Sequence, residues 1–351
     1  MDYLSEKARL LVPYVAGLQP KEAGWIKLNT NENPYPPSPK VAKALSRALL
    51  DADFAALRLY PDDYSSVLRE AIAHNSGVGI ENVFCGNGSD EVLALAYQAF
   101  FSGKQNILTP DISYAFYAVW GRMYDAGMKI MPLRDDFTID TEQYRNGNGV
   151  MIANPNAPTS IALGAAEIEK IARNNPDGVV IIDEAYIDFS NVESAVSLLK
   201  KYDNLLVVRT FSKSHSLAGL RVGFAVGNAA LIDCLHRMKN AFNPYPLDML
   251  AEIGAAAAIS DRDYWDATRK RIIATREKTA ERLRELGYRT IDSQTNFLLM
   301  EAKEAKKLYE YLLNGKILAR YWDKPGISRF LRVTVGTDSE MEAFIECVKR
   351  F

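Results

Sequence analysis

The sequence predicts an α/β protein with a large, mostly parallel seven-stranded sheet domain and a smaller α+β domain. Seven short, almost continuously apolar segments recur between residues 83 and 227, and helical patterns separate most of them. Strands that are buried on both faces of a parallel sheet have this composition. Beyond residue 286 the pattern changes to short strands with helices on one side. We therefore assign residues 45–255 to the large domain, and residues 1–44 with 256–351 to the small one.

Before the sheet, the chain is predicted to be irregular and then helical. The segment KLNTNENPYPPSPK, residues 27–40, is rich in proline and asparagine, which favours an extended crossing. Ser38 and Pro39 are typical of a helix cap followed by the first helical residue, so a helix should run to about Leu50. The segment RLYPDDY interrupts the pattern before a second helix.

The elements of the sheet and of the smaller domain follow in order. The seven sheet strands are VFC from residue 83, QNILTP, MKIMPL, GVMIANP, VVIIDEAY, NLLVVRT and LRVGFAVG. A helical pattern, SYAFYAVWGRMYDAG, is one of those between them. A charged helix from about Arg262 to Leu286 leads to the strand candidates YRTIDS, NFLLMEA, ILARYW and FLRVTVG, a helix through Tyr311 and a closing amphipathic helix.

Composition and charge disfavour several classes of function. The chain has 351 residues, 48% of them hydrophobic and 25% charged, and its net charge of -2 without a basic block argues against nucleic acid and anionic membranes as partners. No apolar stretch approaches the roughly 20 residues of a membrane span. The first ten residues carry acids where a signal peptide is basic and then apolar, so we expect a cytoplasmic protein. The scattered cysteines and histidines predict neither a disulfide framework nor a metal site.

Two predicted strands end in polar residues that can carry chemistry. Asp183 closes VVIID, and Lys213 follows NLLVVRT, with Ser212 beside it and Arg221 eight residues further on. Open α/β sheets bind ligands at the carboxyl ends of their strands. A lysine between a hydroxyl and an arginine suits an amine that condenses with a carbonyl compound while a phosphate is held nearby. Taken alone, the pattern also fits a surface loop with an ordinary lysine.

A glycine-bearing turn follows the first predicted strand. Gly88, Ser89 and Asp90 lie between that strand and a helix, whose first amides can hold a phosphate. The third glycine of a dinucleotide fingerprint is missing, because Glu91 stands in its place. This departure disfavours a nicotinamide-dependent dehydrogenase.

Five segments together resemble a known family. In chain order they are NGSDE, NPNAPTS, DEAYIDF, TFSKSHSLAGLRVG and LRVTVG. They resemble the pyridoxal-phosphate aminotransferases of fold type I, the aspartate aminotransferase fold, and are most similar to the histidinol-phosphate aminotransferases, from LVPY at residue 11 to the C-terminus. The resemblance implies pyridoxal 5'-phosphate as the cofactor, a small-molecule amino donor and a 2-oxo acid acceptor.

The resemblance also assigns roles to the cofactor-binding residues. Lys213 would bind the aldehyde carbon of the cofactor and later act as the base, while Asp183 would keep the pyridine nitrogen protonated. Tyr186 would donate to the phenolic oxygen of the ring. Tyr114 would stack on the ring face, although it also fits a core aromatic. The cofactor phosphate would be held by five residues of the turn and the lysine loop: Gly88, Ser89, Asp90, Ser212 and Arg221.

The remaining assignments concern the partner subunit and the substrate. Tyr60, in RLYPDD, would reach the cofactor phosphate of the other subunit, so the resemblance implies a homodimer with shared active sites. Arg332 would bind the substrate's α-carboxylate, and Arg320 a distal phosphate. Each of these residues also fits a structural role. Three further side chains would complete the pocket: Tyr14, Asn29 and Asn296.

One loop departs from the family pattern. The usual NPNNPTG reads NPNAPTS here, so Ala157 replaces the asparagine that donates to the phenolic oxygen, and Ser160 replaces a glycine. Asn156 is a weaker candidate for that donor, since adjacent loop residues usually point in different directions. We expect Tyr186, alone or with a water, to hold the phenolic oxygen. The chromophore should then lose its proton at a higher pH than in relatives with asparagine.

The predicted reaction moves an amino group from histidinol phosphate to 2-oxoglutarate in a ping-pong cycle, giving imidazole-acetol phosphate and glutamate for histidine biosynthesis. An aromatic transaminase and a decarboxylase of threonine phosphate use the same cofactor apparatus, and both stay open. A regulator that carries an aminotransferase-like domain would need a DNA-binding module. The first thirty residues are too short and insufficiently basic for one.

Overall fold

The computed structural model describes residues 3–12, 17–50 and 54–351. Within these ranges the strands are β1 (Ile26–Lys27), β2 (Val83–Asn87), β3 (Ile107–Pro110), β4 (Met128–Met131), β5 (Gly149–Ala153), β6 (Val179–Asp183), β7 (Leu205–Thr210), β8 (Val222–Gly227), β9 (Arg289–Thr290), β10 (Phe297–Glu301), β11 (Ile317–Leu318), β12 (Arg320–Tyr321) and β13 (Phe330–Thr334). The helices are α1 (Glu6–Leu10), α2 (Pro39–Leu50), α3 (Ser66–Ser76), α4 (Gly88–Phe100), α5 (Phe116–Met123), α6 (Ala165–Arg173), α7 (Ala229–Phe242), α8 (Met249–Ile259), α9 (Arg262–Glu285), α10 (Ala305–Asn314) and α11 (Asp338–Arg350).

The central sheet has seven strands within the described residues, in the order β2-β8-β7-β6-β5-β3-β4. Strand β8 runs antiparallel to both of its neighbours, and the other paired strands are parallel. Strands β5, β6 and β7 are buried along nearly their whole length, as their apolar composition requires. The mostly parallel sheet and all seven of its predicted strands are therefore confirmed.

The predicted helices are also present, with one correction at the start of α5. Helix α2 begins at Pro39, and the Ser38 hydroxyl accepts the Lys40 amide proton at 3.0 Å, as the predicted cap requires. In contrast, α5 begins only at Phe116, so Tyr114 lies in the turn before the helix and not on it. The Ser113 hydroxyl donates to the Asn156 side chain at 2.8 Å and ties this turn to the loop after β5. No helix within the described ranges is long and apolar enough to span a membrane.

A smaller antiparallel sheet, β12-β13-β10-β9, packs against α9, α10 and α11. The sequence predicted a single strand for ILARYW, and this prediction is wrong. The segment forms two strands because the chain changes sheets at Ala319. Strand β11 pairs in parallel with β1 of the N-terminal segment, whereas β12 pairs with β13. The N-terminal strand β1 thus contacts the C-terminal part of the chain through β11. The boundaries at residues 44/45 and 255/256 stay a prediction.

Candidate active site

A cleft of about 370 Å³ opens where the carboxyl ends of β6 and β7 meet the N-terminal segment and the small sheet. Ligands bind at this edge in open α/β sheets because the loops after neighbouring strands diverge there. The cleft brings together most of the predicted site residues: Asn29, Ser89, Asp90, Tyr114, Asp183, Tyr186, Ser212, Lys213, Arg221, Arg320 and Arg332.

Asp183 lies at the base of the cleft, where β6 ends. Its side chain is buried, with Oδ2 accepting from the Tyr117 hydroxyl at 2.7 Å and Oδ1 accepting from the Ala185 amide at 3.1 Å. Burial raises the pKa of Asp183 to about 6, although these two donors and the Lys213 ammonium act in the opposite direction. Tyr117 is the partner that the sequence did not identify. A buried carboxylate needs a donor, but this need does not specify which residue supplies it.

Lys213 extends into the cleft from the loop after β7. Its Nζ donates to the Thr30 carbonyl at 3.1 Å and lies 5.7 Å from the centroid of the Tyr186 ring. The Asn33 side chain donates to the Lys213 carbonyl at 3.1 Å, so the N-terminal segment contacts the lysine at its backbone and at its amine. The amine is therefore placed opposite both Tyr186 and the N-terminal segment.

The loop that carries Lys213 is held by contacts outside the cleft. The Ser214 hydroxyl donates to Asp188, and Asp188 is paired with the Arg209 guanidinium. A second cavity of about 530 Å³ adjoins this group, and Arg269 lines it as well. Arg209 and Arg269 already bind Asp188 and Asp266, so this cavity presents paired charges and we do not assign the chemistry to it.

An anion can be held where α4 begins. Asn87 makes no side-chain cap bond at this helix terminus, which leaves the first amides available to a ligand. Arg221 donates to the Ser212 hydroxyl at 3.4 Å and lies 3.7 Å from Asp90 Oδ2. Gly88 has φ +79°, and a Cβ there would lie 2.4 Å from Arg221 Nη2. Only glycine lets the arginine approach the helix start so closely.

Tyr114 and Asp90 are joined above this anion site. The Tyr114 hydroxyl donates to Asp90 Oδ1 at 3.0 Å, and the Tyr114 ring packs edge-on against Tyr117 at 5.6 Å. The tyrosine ring is therefore fixed at the wall of the cleft, in a position from which it can cover a planar ligand.

Two arginines of the small sheet also line the cleft. Arg320 and Arg332 are directly opposite each other on β12 and β13, and both guanidinium groups lie over the Trp322 ring, at 5.6 and 5.3 Å. Arg332 also donates to the Asn29 carbonyl at 2.8 Å, while the Asn29 amide donates to the Leu18 carbonyl. Like charges directly across a strand pair repel each other, so this arrangement favours anionic ligands.

A buried asparagine contacts the Tyr186 hydroxyl. Asn31 Nδ2 donates to the Tyr186 Oη at 2.9 Å, and the Asn296 side chain, from the small sheet, donates to the Asn31 carbonyl at 3.0 Å. Asn31 was not identified from the sequence, where it stood only as one of several asparagines in LNTNENP. Asn296 lies behind Asn31 and does not line the cleft.

The structure does not bring every predicted residue to the cleft. Asn156 is 3% exposed and its amide donates to the Ile112 carbonyl and the Thr159 hydroxyl, so it shapes the loop and does not line the cleft. Its assignment as a cofactor contact stays a prediction. Tyr60 is 82% exposed and stacks on Tyr245 with ring centroids 4.7 Å apart, away from the cleft of its own chain. Tyr14 lies outside the described residues.

Comparisons with known proteins agree with this geometry. The family described as aminotransferase class I and II matches residues 23–348. A histidinol-phosphate aminotransferase from Brachyspira hyodysenteriae is 49% identical over 99% of this chain and 98% of its own length. A crystal structure of histidinol-phosphate aminotransferase from Sinorhizobium meliloti in complex with pyridoxal-5'-phosphate shares the fold, with a TM-score of 0.83 and 21% identity over 93% of this chain and 90% of that chain. The L-threonine-O-3-phosphate decarboxylase of Porphyromonas gingivalis shares it too, with a TM-score of 0.77 and 24% identity over 93% and 99%.

Proposed function

The chain belongs to the class I and II aminotransferases, and from this premise we propose that it transfers an amino group from histidinol phosphate to 2-oxoglutarate with pyridoxal 5'-phosphate as cofactor. One observation carries the proposal. A single cleft is lined by Lys213 and Asp183 and by the cross-strand pair of Arg320 and Arg332. A reactive amine is thereby combined with two fixed sites for anionic groups.

The residues present fit the cofactor. The start of α4 with Ser212 and Arg221 forms a cradle for a phosphate dianion, because a helix terminus and a guanidinium both favour negative charge. Asp183 is buried at the base of the same cleft and suits a cationic ring nitrogen. When bound, the cofactor supplies an electron sink for charge that develops at the substrate's α-carbon. Lys213 would be the base that takes the proton from the α-carbon of the amino donor in the first half-reaction and delivers a proton to the α-carbon of 2-oxoglutarate in the second.

The arginine pair supports a phosphorylated amino donor. A phosphate dianion and the two carboxylates of 2-oxoglutarate both need more than one cationic partner, and the two guanidinium groups are fixed over Trp322. Arg332 is the proposed partner of the α-carboxylate and Arg320 that of the phosphate. Because both substrates use the same pair in turn, the arrangement suits a ping-pong cycle.

Steady-state rates test this substrate assignment. We expect rapid turnover with imidazole-acetol phosphate and glutamate, slow turnover with aromatic 2-oxo acids, and no carbon dioxide release from threonine phosphate. Arg320→Gln should raise the KM of the phosphorylated substrate by roughly a hundredfold, as expected when a charge-assisted pair is lost. The matched control is Arg329→Gln, which removes an exposed arginine that pairs with Glu301 outside the cleft. Equal KM values in the two variants would contradict the assignment.

We also propose a homodimer in which Tyr60 completes the site of the partner subunit. Its ring stacks on Tyr245, and three apolar side chains close to this pair in sequence are exposed as well: Leu57, Leu59 and Phe242. An exposed apolar patch of this kind is typical of an interaction surface. Lys239 is buried and donates to the carbonyls of Asp63 and Pro244, which ties together the two loops that carry the pair.

Subunit mixing tests the shared site. Lys213→Ala and Tyr60→Ala should each be nearly inactive alone, but their mixture should recover about a quarter of wild-type activity, since half of the dimers would be mixed and each would hold one intact site. No recovery after confirmed subunit exchange would argue that Tyr60 acts within its own chain. The cytoplasmic location stays a prediction from the sequence.

A further inference from the structure

We infer that Asn31, fixed by Thr334, orients the Tyr186 hydroxyl so that its proton is donated into the cleft. The inference rests on the proposed function, because the acceptor in the cleft is the phenolic oxygen of the proposed cofactor. Neither Asn31 nor Thr334 is a catalytic residue. Both are positioning residues that act through Tyr186.

The contacts form a directed chain. The Thr334 hydroxyl, on β13, donates to Asn31 Oδ1 at 3.0 Å, and Asn31 Nδ2 donates to the Tyr186 Oη at 2.9 Å. The Thr334 hydroxyl also accepts from the Asn31 backbone amide at 2.9 Å, and donating to Oδ1 gives the proton of this buried hydroxyl an acceptor. With Oδ1 at Thr334, Nδ2 faces Tyr186. The amide therefore has one orientation, and it presents a donor to Tyr186.

A tyrosine hydroxyl has a single proton to donate. Because the Tyr186 oxygen accepts from Asn31, its own proton cannot point back at the amide and is left for an acceptor in the cleft. The direction of the Tyr186 proton matters more in this chain than in relatives that have asparagine in the loop after β5. Ala157 lines the cleft at that position. Its side chain has no donor, so it cannot help Tyr186 to hydrogen-bond the phenolic oxygen.

Asn31 is held rigidly enough to impose this orientation. It is 1% exposed and adopts φ +57°, in the left-handed region that asparagine tolerates better than most residues. Its backbone amide donates to the Thr334 hydroxyl at 2.9 Å, and its backbone carbonyl accepts from the Asn296 side chain. The polar groups of the Asn31 backbone and side chain are thus all hydrogen-bonded. These contacts join the N-terminal segment to the small sheet.

A neutral substitution at Thr334 isolates this effect from the charges of the site. Thr334 is buried and does not line the cleft. Thr334→Val therefore leaves unchanged the charged groups that face the cleft, which are Asp90, Asp183, Glu32, Lys213, Arg221, Arg320 and Arg332. A shift in the titration of the bound chromophore then arises from the two hydrogen bonds that the Thr334 hydroxyl makes with Asn31 and not from a change of charge.

The test is a spectroscopic pH titration of the pyridoxal-phosphate-loaded protein. A donor to the phenolic oxygen lowers the pKa of the chromophore, because that oxygen otherwise retains the neighbouring proton more strongly. Thr334→Val should raise the chromophore pKa by roughly 0.5 to 1 pH unit, as the loss of one hydrogen bond predicts. Thr334→Ser keeps the hydroxyl and should titrate like wild type. Asn31→Gly, which suits the positive φ, should shift the curve in the same direction as Thr334→Val.

A double-substitution cycle separates orientation from a general loss of structure. Tyr186→Phe should give the largest shift of the chromophore pKa. Adding Thr334→Val to this variant should produce no further change, because the contacts act through the hydroxyl that is missing. An unshifted curve for Thr334→Val, or an equal shift in both backgrounds, would overturn the inference. If wild type itself neither takes up the cofactor nor transaminates, the proposed function fails instead.

Discussion

Tyr117→Phe tests how the charge of Asp183 is maintained. The Tyr117 hydroxyl donates to Asp183 Oδ2 at 2.7 Å, and both residues are buried. Phenylalanine retains the ring that packs between Tyr114 and Trp120 and removes only the donor. The substitution therefore isolates one hydrogen bond to a carboxyl group whose pKa burial has already raised to about 6.

The magnitude follows from the difference between two hydrogen bonds. A bond to an ionised carboxylate contributes about 1.5 to 3 kcal/mol, and a bond to a neutral carboxyl about 0.5 to 1.5 kcal/mol. The difference of roughly 1 to 2 kcal/mol corresponds to about one pH unit. We expect the pKa of Asp183 to rise from about 6 to roughly 7 in the variant.

The stability that Asp183 contributes depends on pH. The folded pKa of Asp183 exceeds its ordinary 3.8, so the stability that the neutral carboxyl contributes is complete below pH 4 and is lost as the pH rises through the folded pKa. A higher folded pKa makes that loss larger. The destabilisation of Tyr117→Phe relative to wild type should therefore be roughly 1 to 2 kcal/mol greater at pH 8.5 than at pH 5.

Urea unfolding of protein prepared without cofactor measures this difference. Tyr97→Phe is the matched control, because the Tyr97 hydroxyl is buried in the same core and has no hydrogen-bond partner within the described residues. Its effect should be equal at both pH values. A pH-independent penalty for Tyr117→Phe would refute the reasoning. With cofactor bound, the more basic carboxyl should draw the proton from the ring nitrogen and lower kcat by roughly tenfold.

Three further substitutions test other parts of the site. Asp183→Asn should stabilise the cofactor-free protein at pH 8 by up to roughly 3 kcal/mol, since the pKa of Asp183 rises from 3.8 to about 6 on folding. Thermal scans that show no gain in stability at pH 8, or the same gain at pH 4, would contradict this. Ala157→Asn should lower the pH at which the chromophore loses its proton by about one unit, and coincident titration curves would show that the missing donor is immaterial. Gly88→Ala should weaken cofactor affinity at least roughly tenfold in a fluorescence titration, because its Cβ would meet Arg221 at 2.4 Å. Gly103→Ala has a similar positive φ with nothing within 4 Å, and an equal loss there would contradict the explanation.

The sequence alone determined the elements of the large sheet and the residues at their ends. Apolar runs of strand length, separated by helical patterns, predicted all seven strands, and the polar residues after two of them predicted Asp183 and Lys213 at one edge. These features depend on local periodicity and on a rule for parallel sheets. Both can be evaluated without knowing which segments meet in space.

Tertiary structure decided the contacts between residues far apart in the chain. Tyr117 contacts Asp183 across 66 positions, Asn31 contacts Tyr186 across 155, and Thr334 contacts Asn31 across 303. No local pattern distinguishes these residues from ordinary core or loop residues, because the need of a buried polar atom for a partner does not specify where in the chain that partner lies. For the same reason, the sequence offered Asn156 as a candidate, and only the folded loop showed its amide to be bonded elsewhere.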